Sequence, residues 1–123
     1  VIVSDHKPED EESKRLTFSQ AATGASGIET LLSLSLELYH NGSVKLETII
    51  RALTSNPAKI LRINKGNLTI GNEADFCIVD LDKPWIVKKE SLISKSKNTS
   101  IEDKKLQGKV TNTFVKGKEL FKL

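Results

Sequence analysis

Asp5 and His6 are adjacent titratable side chains, and they follow directly on three β-branched apolar residues, Val1-Ile2-Val3. Such a run ending in Ser4-Asp5-His6 reads as a buried parallel strand delivering polar side chains at its carboxyl edge. That edge is where the sites of α/β barrels lie. A carboxylate and an imidazole there can ligate a metal or move a proton, and they are equally compatible with a structural pairing. The chain holds two His and one Cys, with no H-E-x-x-H, H-x-H or C-x-x-C spacing. A catalytic zinc takes three protein ligands, so these residues cannot build such a site alone; any metal must be held mainly by residues upstream of Val1.

The other reactive side chains favour plain roles. Cys77 lies between Phe76 and Ile78 in a strand-like run, where a free thiol acts as a small buried hydrophobe. His40 falls in the last turn of a predicted helix, a position that tolerates partial positive charge. Ala21-Ala22-Thr23-Gly24-Ala25-Ser26-Gly27 is a run of small residues that lets backbone approach a ligand closely, and it equally describes a loop entering a helix.

The elements that must position these residues change character along the chain. After the first strand, 9–15 reads as a charged, solvated loop. From Ile28 to Tyr39 apolar residues occupy most of a helix surface, as in a helix buried between layers, and Asn41-Gly42 ends it. Ser43 is the expected cap of a second helix carrying Leu46, Ile49, Ile50 and Leu53, and Asn56-Pro57 the expected start of a third, Ala58 to Ile63. Beyond that the pattern turns to β: Leu68 to Gly71, a well-buried strand from Ala74 to Leu81, Trp85 to Val87, and a hairpin of Val110 to Val115 and Lys118 to Phe121 around Lys116-Gly117. Residues 88–108 are expected to be long loop with one helical turn at Glu90 to Ile93.

Composition sets the outer limits. With 123 residues, 37% apolar and 28% charged, the chain is in the range of one globular domain. The net charge of +3 is spread among interleaved acids, and only six aromatics are present, so nucleic acid is not an expected partner. No run is apolar enough for a membrane span or a secretory signal, and the single cysteine suits a cytoplasmic location. The absence of any Met suggests a piece of a longer chain.

Taken in order, Ser4-Asp5-His6-Lys7-Pro8, Lys14, Gly24 to Leu32, Ser55-Asn56-Pro57-Ala58-Lys59-Ile60-Leu61, Gly66 to Phe76, and Ser96-Lys97-Asn98-Thr99-Ser100-Ile101 with Leu106-Gln107-Gly108-Lys109-Val110 resemble the carboxyl-terminal third of dihydroorotases, in the cyclic-amidase branch of the amidohydrolases. The resemblance implies an α/β fold: the last strand and helices of a metal-dependent TIM-type barrel over residues 1–63, followed by the carboxyl-terminal strands of a small β-sandwich over residues 64–123. It implies a zinc-dependent hydrolase that interconverts dihydroorotate and N-carbamoyl-aspartate in pyrimidine biosynthesis, with zinc bound mostly by upstream residues. Asp5 would touch the metal and act as the catalytic proton carrier. Thr23 and Gly24 would bind the ring, and Glu9 stands where the family's carboxylate-binding His would be. Pro is also missing after Thr99. The implied partners are a small cyclic amide, the amino-terminal part of the same protein, a second copy in a homodimer, and a transcarbamoylase. The 123 residues alone are expected to be inactive. Two alternatives remain: a hydantoinase or allantoinase, and a non-catalytic homologue serving as a structural partner.

Overall fold

The computed structural model describes residues 1–123 as four helices followed by a sheet: α1 (Glu11–Lys14), α2 (Leu31–His40), α3 (Leu46–Leu53), α4 (Ser55–Leu61), β1 (Phe76–Ile86), β2 (Lys105–Val115) and β3 (Lys118–Lys122). The three strands form one antiparallel sheet in the order β1-β2-β3. A 3-10 turn at Lys89–Ser91 matches the single helical turn expected in the long connection, although β2 begins earlier than the sequence suggests.

α2 is the element that joins the helical half to the sheet. Its repeat buries Leu36 completely, but Ser33 and Ser35 are buried beside it, so the contact face is less apolar than the sequence suggests. The small Ser33 lets the helix approach β2, where its hydroxyl donates to the Gly108 carbonyl at 2.6 Å. Trp85 Nε1 donates to Ser33 Oγ at 3.2 Å and to the same carbonyl at 3.3 Å. Beside this junction Val87, Leu92 and Leu106 form the buried cluster, with Leu34, Trp85 and Ile101 packed against it. Gly108 belongs there for a steric reason: it has φ +94°, and a Cβ on it would lie 2.4 Å from Leu36 Cδ1.

The two strands expected at 74–81 and 85–87 are one strand with a bulge. Between Asp80↔Lys109 and Pro84↔Gln107 three residues of β1 face only Gly108 of β2. The Asp80 carboxylate accepts the N–H groups of Asp82 and Lys83 there, each at 3.1 Å. Pro84 follows the bulge, where a ladder donor is dispensable. The β2–β3 turn is the expected Lys116-Gly117, both residues at positive φ (50° and 75°), which suits the twist of a two-residue hairpin.

Several local expectations fail for identifiable reasons. Val1-Ile2-Val3 is not a strand within these residues: Val1 and Val3 are 61% and 69% exposed, and the nearby ladder contact is an isolated parallel bridge between His6 and Ala25. A parallel strand needs backbone partners on both sides, and no neighbouring strand here supplies them. Leu68 to Gly71 is a turn, because Asn67 Oδ1 takes the Thr69 N–H at 3.1 Å and the Asn72 N–H closes on the Thr69 carbonyl at 3.1 Å. β1 is mostly exposed and Cys77 with it, since α2 covers the sheet near Gly108 and nothing covers the far end. The loop at 9–15 contains α1, capped by Asp10, whose carboxylate accepts the Ser13 N–H at 2.7 Å. α3 starts from Lys45 rather than a Ser43 cap, and α4 starts at Ser55, with Pro57 still inside its first turn.

Candidate active site

His6 ties the two segments of the site together. Its Nδ1 accepts the Gly27 N–H at 3.1 Å and the Ile28 N–H at 3.3 Å, which leaves the ring proton on Nε2 and makes the imidazole a clip between 4–8 and the approach to α2. The Lys7 N–H donates to the Ala25 carbonyl at 3.1 Å, completing the same junction. Gly27 and Gly24 make the approach possible: a Cβ on Gly27 would stand 2.8 Å from the Ser4 carbonyl oxygen, and one on Gly24 2.4 Å from that of Lys7.

Asp5 has φ +45°, a left-handed conformation that Asp adopts more readily than most residues. It lines a cleft of about 660 Å³ together with Ser4, Gly24, Ala25 and Ser26. Asp5 and Gly24, 19 positions apart in sequence, are thus brought to one cavity. Thr23 stands beside it, its hydroxyl accepting from the Lys7 ammonium at 3.4 Å. Glu9 is not with them. It lines a second cleft of about 580 Å³ with Asp10, Lys14, Ser96 and Lys97. Its Oε1 lies 3.3 Å from Lys7 Nζ, so its charge is already answered within the chain. Asp10, on the same rim, has its carboxyl held below the ordinary value of 3.8 by the Ser13 backbone N–H.

The loops carrying these residues are held by groups to which sequence reasoning gave no positioning role. Lys14 Nζ donates to the carbonyls of Ala22 at 2.6 Å and Gly24 at 3.0 Å. Asn98 Nδ2 donates to the Gly24 carbonyl at 3.2 Å, and the Asn98 carbonyl accepts the Ser26 N–H at 2.7 Å. The Ser26 hydroxyl donates to the Ser96 carbonyl at 2.9 Å. The Ser96 hydroxyl donates to the Glu9 carbonyl. The Glu29 carboxylate accepts the N–H groups of Ile93 and Ser94 at 2.9 to 3.0 Å. Residues 93–98 are therefore a strap from the sheet half, laid across both loops of the site. Lys14, Glu29, Ser96 and Asn98 all fall in the stretches that carry the dihydroorotase resemblance or its spacing, which was the signal available for them.

No three His, Cys, Asp or Glu side chains converge closely enough to hold a metal ion. In the cleft Asp5 is the one carboxylate, and the Nδ1 of His6 is spent on two backbone donors. No helix is long and apolar enough to cross a membrane.

The sequence profile of the amidohydrolase family matches residues 1–120. A dihydroorotase of Ehrlichia chaffeensis is 42% identical over 121 residues, 98% of this chain, and the chain spans 27% of that relative's length. Among solved structures, a dihydropyrimidinase from Brevibacillus agri superposes with a TM-score of 0.89 at 20% identity, over 96% of this chain and 27% of the other. The L-hydantoinase of Arthrobacter aurescens superposes with a TM-score of 0.80 at 30% identity, over 85% of this chain and 24% of the other.

Proposed function

The chain belongs to the amidohydrolase family, and from that membership we propose that it forms part of a dihydroorotase-like hydrolase that opens and closes a cyclic amide, dihydroorotate to and from N-carbamoyl-aspartate. One observation carries this reading: a carboxylate, Asp5, and a small-residue backbone segment, Gly24 to Ser26, share a single cleft. In the hydrolytic direction the oxygen of a water attacks the ring carbonyl while Asp5 takes a proton from that water. The C–N bond then breaks, Asp5 returns the proton to the departing ring nitrogen, and the new carboxylic acid gives its remaining proton to solvent, leaving a carboxylate and a terminal carbamoyl NH₂. One carboxylate can serve both steps because each needs a group that is basic in one and acidic in the next.

Zinc is part of the proposal only with most of its ligands drawn from outside residues 1–123, because Asp5 alone does not make a metal site. Its contribution when bound is to acidify a water. Thr23 and Gly24 supply backbone to the ring. Glu9 occupies the place of a carboxylate-binding group but acts through Lys7, whose charge it offsets.

The same reading takes residues 1–63 as the end of a barrel and 64–123 as a share of a β-sandwich. Supporting it, Val1, Val3, Ile60, Leu61 and Leu68 are all more than half exposed, apolar surface of the kind that the rest of such a barrel would cover.

Asp5→Asn in the complete enzyme tests the assignment. Asp5 is exposed and makes no side-chain hydrogen bond in the chain, so the variant is expected to keep its thermal midpoint while kcat falls by about 10²- to 10⁴-fold. Retention of a tenth of the wild-type kcat on dihydroorotate removes Asp5 from the mechanism. Turnover of hydantoins or dihydrouracil but not dihydroorotate moves the substrate to another cyclic ureide.

A further inference from the structure

The Gly24 carbonyl receives two donors from opposite directions in the chain. Lys14 reaches it from α1 at 3.0 Å and Asn98 from the strap at 3.2 Å. A carbonyl oxygen has two lone pairs, so this one is saturated. Lys14 also holds the Ala22 carbonyl at 2.6 Å, and the Ser26 N–H is held by the Asn98 carbonyl at 2.7 Å. Between these fixed points lies the peptide unit joining Thr23 to Gly24. Neither its carbonyl nor its N–H has a hydrogen-bond partner within the chain. A trans peptide directs its C=O and N–H to opposite sides, so its rotation decides whether an acceptor or a donor faces a neighbouring molecule.

We infer that Lys14 and Asn98 are paired positioning residues, which set the rotation of the Thr23–Gly24 peptide by saturating the next carbonyl along, and thereby set which ring edge of a cyclic amide the site accepts. The inference rests on the proposed role of Thr23 and Gly24 as ring-binding backbone. Asn98 brings the sheet half of the chain into substrate recognition without touching the substrate. Lys14 is the stronger half of the pair, since a charged donor to a carbonyl is worth more than a neutral one.

The test compares Lys14→Met, Lys14→Arg, Asn98→Ala and Asn98→Asp in the intact protein. Asn98→Asp is close to isosteric but sets an acceptor against the Gly24 carbonyl and draws the Lys14 ammonium away from it. It is therefore expected to be worse than Asn98→Ala, the reverse of what a packing role produces. KM for dihydroorotate should rise on the order of 10- to 100-fold in Lys14→Met and Asn98→Asp, the range spanned by one charge-assisted hydrogen bond. kcat should change far less, and Lys14→Arg should restore most of the loss. Amide exchange should quicken at Ala22 and Ser26, whose N–H groups are held by the Ser13 and Asn98 carbonyls, and stay unchanged in β1 and β2. An Asn98→Asp variant milder than Asn98→Ala overturns the inference, and so does unchanged exchange at Ala22 and Ser26. Faster exchange with an unaltered KM also overturns it. Should the wild type hydrolyse no cyclic amide, the functional reading falls by itself, and the exchange measurements still decide whether the two side chains hold the peptide.

Discussion

Replacing Gly24 by Ala probes the closest contact in the site. The new methyl would sit 2.4 Å from the Lys7 carbonyl oxygen and 2.9 Å from Lys7 Cβ, at φ +133°. Two costs add. The backbone conformation is nearly reserved to glycine, and holding an L-residue there costs about 1 to 3 kcal/mol. The overlap is with backbone rather than a flexible side-chain end, so the loop must lift away from 4–8. That stretches the Lys7 N–H bond to the Ala25 carbonyl, worth about 1 kcal/mol net. The sum is about 2 to 4 kcal/mol. Gly42 provides the internal control: it has φ +76° and nothing within 4 Å of a built Cβ, so Gly42→Ala carries backbone strain alone, about 1 to 2 kcal/mol. Urea unfolding of both variants measures the difference, and kcat/KM of the complete enzyme measures displacement of the segment, with a loss on the order of 10²-fold expected for Gly24→Ala alone. Equal stability losses in the two variants would refute the close approach of Gly24 to Lys7, and undiminished kcat/KM in Gly24→Ala would refute its importance to the site.

Glu9→Gln releases the Lys7 ammonium from its counter-charge. Both groups are partly solvated, so the pair is worth about 0 to 1 kcal/mol, and KM for an anionic substrate is expected to fall by less than about fivefold with kcat unchanged. Steady-state kinetics at low and high salt checks this, the effect shrinking as salt rises. Ser33→Ala removes a donor from the buried Gly108 carbonyl and an acceptor from Trp85, for a cost of about 1 to 2 kcal/mol in urea unfolding. The Asp75 carboxyl is held below its ordinary value of 3.8, first by the hydrogen bond from Lys65 and then by the Lys116 N–H. A depressed carboxyl stabilises the fold above its unfolded value and loses that contribution as pH falls through the folded one. Wild type should therefore lose more stability between pH 6 and pH 3 than Asp75→Asn, a comparison made by unfolding midpoints at the two pH values.

Elements whose signals are local were readable in the sequence. Asn41-Gly42 ends α2 as expected, with Gly42 at φ +76°, and Lys116-Gly117 closes the hairpin. What failed depended on neighbours. Val1-Ile2-Val3 has the composition of a buried strand, but hydrogen-bonding partners make a strand, and periodicity carries no information about them. Cys77 was misplaced for the related reason that alternation reveals two faces without revealing which is covered. In the site, the small residues around Gly24 read as close approach to a ligand or as a loop entering a helix; the structure shows them leading into α2 and approaching the chain's own Lys7. The contacts of Asn98 and Glu29 were invisible because hydrogen bonds between residues 64 to 74 positions apart leave no spacing rule.

The strap also fixes an order of events during synthesis. Residues 22–29 leave the ribosome well before 93–98, and closing a loop of 74 residues costs about 4 kcal/mol in chain entropy beyond a constant. The strap follows directly on Leu92, so its polar bonds form most readily once Val87, Leu92 and Leu106 have assembled against Leu34 of α2. The nascent loop around Gly24 therefore waits, with its small side chains and unpaired amides open to proteases and chaperones, until the sheet is complete. In this chain the loop proposed to meet a substrate is the part that acquires its shape last.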